Sequence, residues 1–565
     1  MIIGADRVEP NACVTTDVCI IGAGAAGITL ALELSRNSIP AVLLTGGQRR
    51  ERPWDRDLYR GVTDLSYPHE PLEQGRRRAF GGTTIAWGGR CMPLDPIDFQ
   101  KRPWIPGSGW PIAYADLLPH YTRAIELCEA SPFSFNASET FGPGRGPMIN
   151  GFDGPEVTSS RLERWSPPTN FARRYEPELR KAPLLRVLVG GHALHIQVKA
   201  TGRSIDYVRA AARPGREFVI RARLYVLAAG GLENPRLLFV SNDIHTSGIG
   251  NSTGLVGRYY MTHLAGAPLK VSFADRGPAF HYGFERDKAG VYCRRRFALT
   301  SSAQEQHEIG NASACLHRPP IADAAHGNAI FSAAFLMKQY AGALKNGGAR
   351  SLPVRLREGA PARRGHWEVI GQVSPGSAVE MSKIFRGRYL ASRRLPMVLP
   401  GRSASEHYLH YQAEHAPNRD SRVILSDERD AFGLRRLTAR IGFSDVDART
   451  IAEVHRIIGD RLDKTQTGHL VFDEARIQGH ISDLMTNFNS EAHQLGTTRM
   501  GNSPRDGIVD VNCRSHEVDD LFVVGGSVFP TSGYANPLLT IVALSVRLAA
   551  HLQERLLKGV ALDGG

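Results

Sequence analysis

Apolar residues along this chain gather in runs of different length, and each length predicts a different element. Val18-Cys19-Ile20-Ile21 and Ala41-Val42-Leu43-Leu44 are short and continuous, as in parallel strands buried on both faces. Between them, Ile28–Leu34 mixes small and apolar residues and reads as a helix lying on those strands. Ala222–Arg236 reads as another strand running into a small-residue turn and then a helix. Further on, His407–Gln412 and Arg422–Leu425 read as strands. Ile451, Val454, Ile457 and Ile458 take helical spacing within Asp445–Leu462. Leu538–Leu548 is apolar on nearly every side, which predicts a buried helix. The class is α/β, and no internal repeat is visible.

Three glycines follow the first strand. Gly22 permits the tight turn, Gly24 lets backbone approach a pyrophosphate, and Gly27 allows close helix–strand contact. With Ala26 beside them, they open a helix whose free N–H groups face phosphates. Strand, glycine fingerprint, helix and second strand in this order point to a bound dinucleotide. The second strand should end in an acidic residue that binds the ribose hydroxyls. Thr45 stands there instead, a weaker hydrogen-bonding partner than a charged acceptor. Arg49 and Arg50 lie just beyond and fit a 2′-phosphate reader, so these residues alone leave NADP open.

Composition narrows the partners. The chain has 565 residues, long enough for two large lobes, with 42% hydrophobic and 22% charged residues. The formal charge of +13 is spread out, with short clusters at Arg76–Arg78 and Arg294–Arg296. These read as solvated basic surface, since no nucleic-acid module accompanies them. Seven widely spaced cysteines suit reduced thiols rather than a disulfide framework or a metal site. The first fourteen residues lack the apolar core of a signal peptide. No stretch nears the ~20 apolar residues of a membrane span. A soluble, cytoplasmic protein is expected, with a loop at Lys345–Arg350.

The last quarter holds the candidate chemistry. His493 precedes the glycine-containing turn Gln494–Gly501, and Ser532-Gly533-Tyr534-Ala535-Asn536-Pro537 opens the apolar helix. A neutral histidine can accept a proton, and an adjacent amide can hold the oxygen that loses it. Asn536 before Pro537 also has the form of a helix N-cap. Together with Ala79–Arg90, Ala222–Arg236, Gly254–His263 and Leu521–Ser527, these segments resemble the glucose-methanol-choline (GMC) family of flavin oxidoreductases.

The resemblance implies a Rossmann-like FAD-binding domain assembled from 1–100, 185–262 and 486–565. A discontinuous α+β substrate-binding domain, 263–485, would roof the flavin with its sheet, and 101–184 would be a lid or insertion. It implies FAD lined by Gly22, Gly24, Ala26, Gly27, Thr45, Arg78, Gly81, Gly82, Thr83, Gly230, Gly526, Ser527, Asn536, Pro537 and Leu538. Arg78 is a pyrophosphate contact in this reading. Some family members tether flavin to a histidine where this chain has Ala86, so the cofactor is expected to be non-covalent. His493 would be the base and Asn536 the positioning donor in oxidising a small-molecule alcohol, with oxygen or another electron acceptor. His263 and His415 are expected to be structural. A sugar, polyol or glycoside hydroxyl is the expected target. A bulky lipophilic alcohol, a cyanohydrin lyase on the same fold and an NADP-linked reductase are the alternatives.

Overall fold

The computed structural model describes residues 1–64, 66–67, 69–274, 280–317, 324, 329–345, 360–371, 382, 386–391, 393–397, 407–487 and 493–562. Two large sheets organise them. The first has the order Ile2–Gly4, Leu185–Val189, Ala41–Thr45, Cys13–Ile21, Arg216–Leu227, Ile205–Arg213, His192–Val198, with Leu521–Val523 also paired to Arg216–Leu227. Its centre is parallel: Ile21 lies beside Leu44 on one side and Leu227 on the other, and Val523 lies beside Leu227. Ala41–Thr45, Leu521–Val523 and the ends Val18–Ile21 and Leu224–Leu227 are buried because helices cover them. Ala25–Arg36 packs against the long helix Leu538–Leu562, which in turn packs against Tyr114–Leu127. Gly27 sets the closeness of the first helix: a Cβ there would sit 1.8 Å from the Gly22 carbonyl oxygen. The helix expected at Ile28–Leu34 is thus longer at both ends, and that at Leu538–Leu548 continues to Leu562.

The second sheet runs Gly468–Leu470, Lys270–Phe273, His407–Glu414, Ala312–His317, Tyr292–Leu299, Val157–Trp165, Arg90–Cys91, with His263–Gly266 also paired to His407–Glu414. Its two faces differ sharply, as alternation along strands dictates. Leu409, Tyr411, Ala314, Leu316, Phe297 and Leu299 form one face. They pack on the helix Asp445–Lys464 through Ile451, Val454, Ile457 and Ile458. That helix starts where Ser444 donates its N–H and Oγ–H to Asp447, at 2.7 and 2.9 Å. The other face is polar, carrying His410 opposite Cys315, Gln412 opposite Ser313, and Arg294, Arg296 and Glu163 beyond them.

Several expectations change here. Arg294, Arg295 and Arg296 are about 1% exposed and are not surface charge. Arg294 and Arg296 meet Glu163, and Arg295 meets Glu285 on the opposite face. Arg76 is also buried, paired with Glu233. Val157–Trp165, inside the expected lid segment, is an interior strand of the second sheet. The expected strand at Arg422–Leu425 is Arg422–Arg429, forming a separate hairpin with Arg435–Arg440. Positions 346–350 of the expected loop lie outside the described residues. All seven cysteines are free. Among the described residues, no helix is long and apolar enough to cross a membrane.

Candidate active site

A cavity of about 580 Å³ opens where the parallel strands of the first sheet end, and the second sheet's edge forms part of its wall. Ligands in open α/β sheets bind at this place because strand ends and helix N-termini leave backbone groups unpaired there. The cavity suits a dinucleotide in two ways. A Cβ on Gly24, Gly230 or Gly525 would meet no protein atom within 4 Å, and all three glycines line the cavity, so the missing side chains leave a cradle. At the adenosine end expected of the fold, Arg78 Nε and His192 Nε2 are buried and have no hydrogen-bond partner among the described residues, and both residues line the cavity.

Gly22, Gly24, Ala26, Thr45, Arg78, Gly82, Thr83, Gly230, Gly526, Asn536, Pro537 and Leu538 all line this cavity, as does Ala86. Alanine offers no nucleophile for a flavin tether. Gly27, Gly81 and Ser527 do not line it. Gly27 lies behind the fingerprint. Gly81, with φ +104°, donates its N–H to the Ala23 carbonyl at 2.9 Å and ties the second glycine stretch to the first. Ser527 accepts at Oγ from Asn234 at 2.9 Å. The Arg78 guanidinium lies 3.0 Å from His192 Nδ1, beside Gly46 at the end of the second strand. Thr45 Oγ1 accepts from the Gly47 N–H at 3.3 Å. Arg49 pairs with Glu176 and, like Arg50, lies outside the cavity lining, which removes the residues that favoured NADP.

His493 and Asn536 meet at the far end of the cavity, His493 Nε2 lying 3.3 Å from Asn536 Nδ2. Backbone pairing puts them there. Leu495 exchanges hydrogen bonds with Met261, and the Gly496, Thr498 and Met500 N–H groups donate to Gly526, Ser527 and Val528. Gly496 permits this approach, because a Cβ there would sit 2.1 Å from the Tyr259 carbonyl oxygen. The same pairing sets His263 beside His493, with their Nδ1 atoms 2.8 Å apart. His415 does not line the cavity and is bonded through Nε2 to the Gly442 carbonyl at 3.0 Å. Asn536 makes no side-chain helix cap: the Ile541 N–H bonds Pro537, and the amide faces the cavity instead.

One residue fixes the protons of this cluster. Arg90 Nη1 donates to Asn536 Oδ1 at 3.4 Å, so Nδ2 is the amide atom facing His493 and must donate to Nε2. Nε2 therefore carries the lone pair, Nδ1 carries the hydrogen, and that hydrogen points at His263 Nδ1. Burial, reinforced by the Arg90 charge, pushes the His493 imidazole down to about 4, so it is neutral near pH 7. A neutral base with its lone pair turned into the cavity is what proton abstraction requires. His263→Leu removes the acceptor that holds this tautomer and is expected to slow substrate-driven flavin reduction by about 10²-fold or more. His263→Asn, whose Oδ1 can replace Nδ1, should restore most of the rate in anaerobic stopped flow. Equal rates for both variants would sink the tautomer argument.

Arg90 was assigned no role from sequence and His263 was expected to be structural, although both sat at the ends of the segments carrying the family resemblance. Their partners, Glu163 and His493, are remote in the chain.

A dinucleotide fold, a glycine-cradled cavity and a neutral histidine–amide pair at its end define a flavin-dependent oxidoreductase of two-lobed architecture. Residues 417–545 match the C-terminal region of GMC oxidoreductases, the FAD-dependent family that the chain as a whole resembles. It is 24% identical to the fructose dehydrogenase large subunit of Gluconobacter japonicus over 97% of this chain and 100% of that one. It is 23% identical to 2-methyl-1,2-propanediol dehydrogenase of Mycolicibacterium austroafricanum over 96% and 95% of the two chains. The fold is shared with pyridoxine 4-oxidase from Mesorbium loti at a TM-score of 0.52 and 18% identity, over 95% of this chain and 99% of that one. The protein is an FAD-dependent enzyme that oxidises alcohol groups.

Proposed function

We propose that the substrate is a sugar, polyol or glycoside, one hydroxyl of which is oxidised to the carbonyl, with His493 as proton acceptor and Asn536 as the anchor of the reacting oxygen. The observation that carries these roles is the 3.3 Å pairing of His493 Nε2 with the Asn536 amide inside the cofactor cavity. A substrate hydroxyl entering between them gives its proton to Nε2, and the amide N–H stays beside the oxygen as charge develops on it. When bound, FAD supplies the hydride acceptor. The polyhydroxy substrate class is supported by relatives named for fructose and a propanediol.

The low proton affinity of His493 has a direct consequence. It remains neutral down to about pH 4, so kcat/KM should be flat from pH 5 to 8 as far as this group is concerned and fall below about 4, where protonation removes the base. A limb near the ordinary histidine value of ~6.5 would contradict the burial argument.

The substrate class is tested by mixing the yellow holoprotein, without oxygen, with sugars, polyols, glycosides and a long-chain primary alcohol. Bleaching by polyhydroxy compounds and not by the lipophilic alcohol is expected; the reverse order refutes the assignment. Admitting air or a quinone afterwards identifies which acceptor restores the colour.

A further inference from the structure

Arg90 has a nitrogen to spare beside the catalytic pair. It starts the short edge strand Arg90–Cys91 of the second sheet, and its side chain, 15% exposed, lines the cavity with His493 and Asn536. Nη1 is committed to Gln412 Oε1 at 2.9 Å and to Asn536 Oδ1 at 3.4 Å. Nε faces Glu163 at 3.4 Å and is buried. The guanidinium lies over the Trp165 ring, 5.3 Å from its centre, which fixes its plane. Among the described residues Nη2 makes no hydrogen bond, and it is not buried, so it is the part of the fork left to the cavity.

We infer that Arg90 is a specificity-determining residue whose Nη2 donates to a second oxygen of the substrate, borne on the carbon next to the reacting carbinol. The inference rests on the proposal that an alcohol is oxidised between His493 and Asn536. Nη1 already contacts the amide that holds the reacting oxygen, so Nη2 is aimed at its neighbour; adjacent oxygens of a vicinal diol lie about one hydrogen-bond length apart. A charge-assisted bond to that oxygen is stronger than a neutral one. A substrate lacking it would cover the cation and return nothing. The recognised unit is thus a carbinol with an α-oxygen, which a hydroxyl or a carboxylate could provide. Open-chain polyols carry an α-hydroxyl at every carbinol, and ring sugars do so at their ring carbinols.

Three probes of nearly one shape separate these cases: 1,2-propanediol, lactate and 2-propanol. Anaerobic stopped flow gives kred/Kd for each in the wild-type holoprotein and in Arg90→Gln. The diol should exceed 2-propanol in the wild type, and Arg90→Gln should lower that ratio by about 10- to 100-fold, whatever loss both share through Asn536. Lactate exceeding the diol in the wild type, with that advantage lost in Arg90→Gln, would assign the second oxygen to a carboxylate and keep Arg90 as its reader. An unchanged ratio overturns the inference and reduces Arg90 to a support for Asn536. Binding gives a second readout. Calorimetric titration of 1,2-propanediol into His493→Ala holoprotein should weaken by a similar factor in His493→Ala/Arg90→Gln, and equal affinities would refute the contact. Arg90→Lys, which keeps the charge but not the fork, should recover FAD content without recovering the ratio. If no alcohol, including the sugar and glycoside panel, bleaches a wild-type protein that binds FAD, the proposed reaction fails and this inference falls with it. Bleaching with no preference for an α-oxygen sinks the inference alone.

Discussion

His493→Ala is expected to stay yellow and folded while substrate-driven flavin reduction slows by about 10²- to 10⁴-fold, the range for loss of a positioned general base. Binding should survive because the cofactor cavity does not depend on this side chain: the fingerprint turn, the Ala79–Arg90 stretch and the start of the Leu538–Leu562 helix surround it. The fold should survive as well, since the backbone bonds of Leu495, Gly496 and Thr498 hold the segment. Absorbance in the visible range reports FAD content, and anaerobic stopped flow reports reduction. Asn536→Ala provides a contrast. It keeps the proposed base but loses the proposed oxygen anchor and the link to Arg90, so its loss should appear at every pH. That of His493→Ala should shrink as rising hydroxide concentration replaces the missing base. Normal reduction by His493→Ala would remove the histidine from the reaction.

The parts of this site legible in sequence are those encoded locally. Gly22, Gly24 and Gly27 declare a turn and a close helix by spacing alone, and the apolar runs flanking them declare buried strands. The helix Asp445–Lys464 was legible for the same reason: its apolar stripe repeats every three to four residues. The pairing of His493 with Asn536 needed the family resemblance, because a base and an amide some forty residues apart carry no sign that they meet. The polar face of the second sheet was not legible at all. Three arginines in a row at 294–296 have the composition of an exposed loop, and only a distant carboxylate turns two of them inward. Glu163 lies 131 and 133 positions from Arg294 and Arg296. No window along the chain contains both signs of that charge. Asn536 shows the opposite error. Its place before Pro537 fits a helix cap by local rules, yet a tertiary donor, Arg90, takes its carbonyl.

Removing that distant carboxylate should have the largest effect on the fold. Glu163 is fully buried and faces Arg294 Nε at 2.5 Å, Arg296 Nη1 at 2.6 Å and Arg90 Nε at 3.4 Å. It also accepts from Trp165 Nε1 at 3.1 Å. Burial alone would raise its pKa, but the charges of Arg294, Arg90 and Arg296 outweigh burial and hold the carboxyl below the usual range. Glu163→Gln preserves shape and leaves three guanidinium groups without their shared counter-charge. Breaking a buried pair from one side costs roughly 3–5 kcal/mol, and here one carboxylate serves three partners. Urea unfolding of the holoprotein at pH 7 should therefore show a clearly lower midpoint. The pH dependence follows from the sign of the shift. A carboxyl favoured in its charged form by the fold contributes fully above its unfolded pKa, about 4.3, and loses that contribution as pH falls toward the depressed folded value. Wild type and Glu163→Gln should thus differ most near neutrality and converge in acid. The variant should also bleach more slowly with alcohol, because Glu163 helps hold Arg90, and Arg90 orients the amide that faces His493. An unfolding free energy within about 1 kcal/mol of wild type, no more than a typical point substitution costs, would mean that the three arginines find other partners and that the second sheet does not depend on this carboxylate.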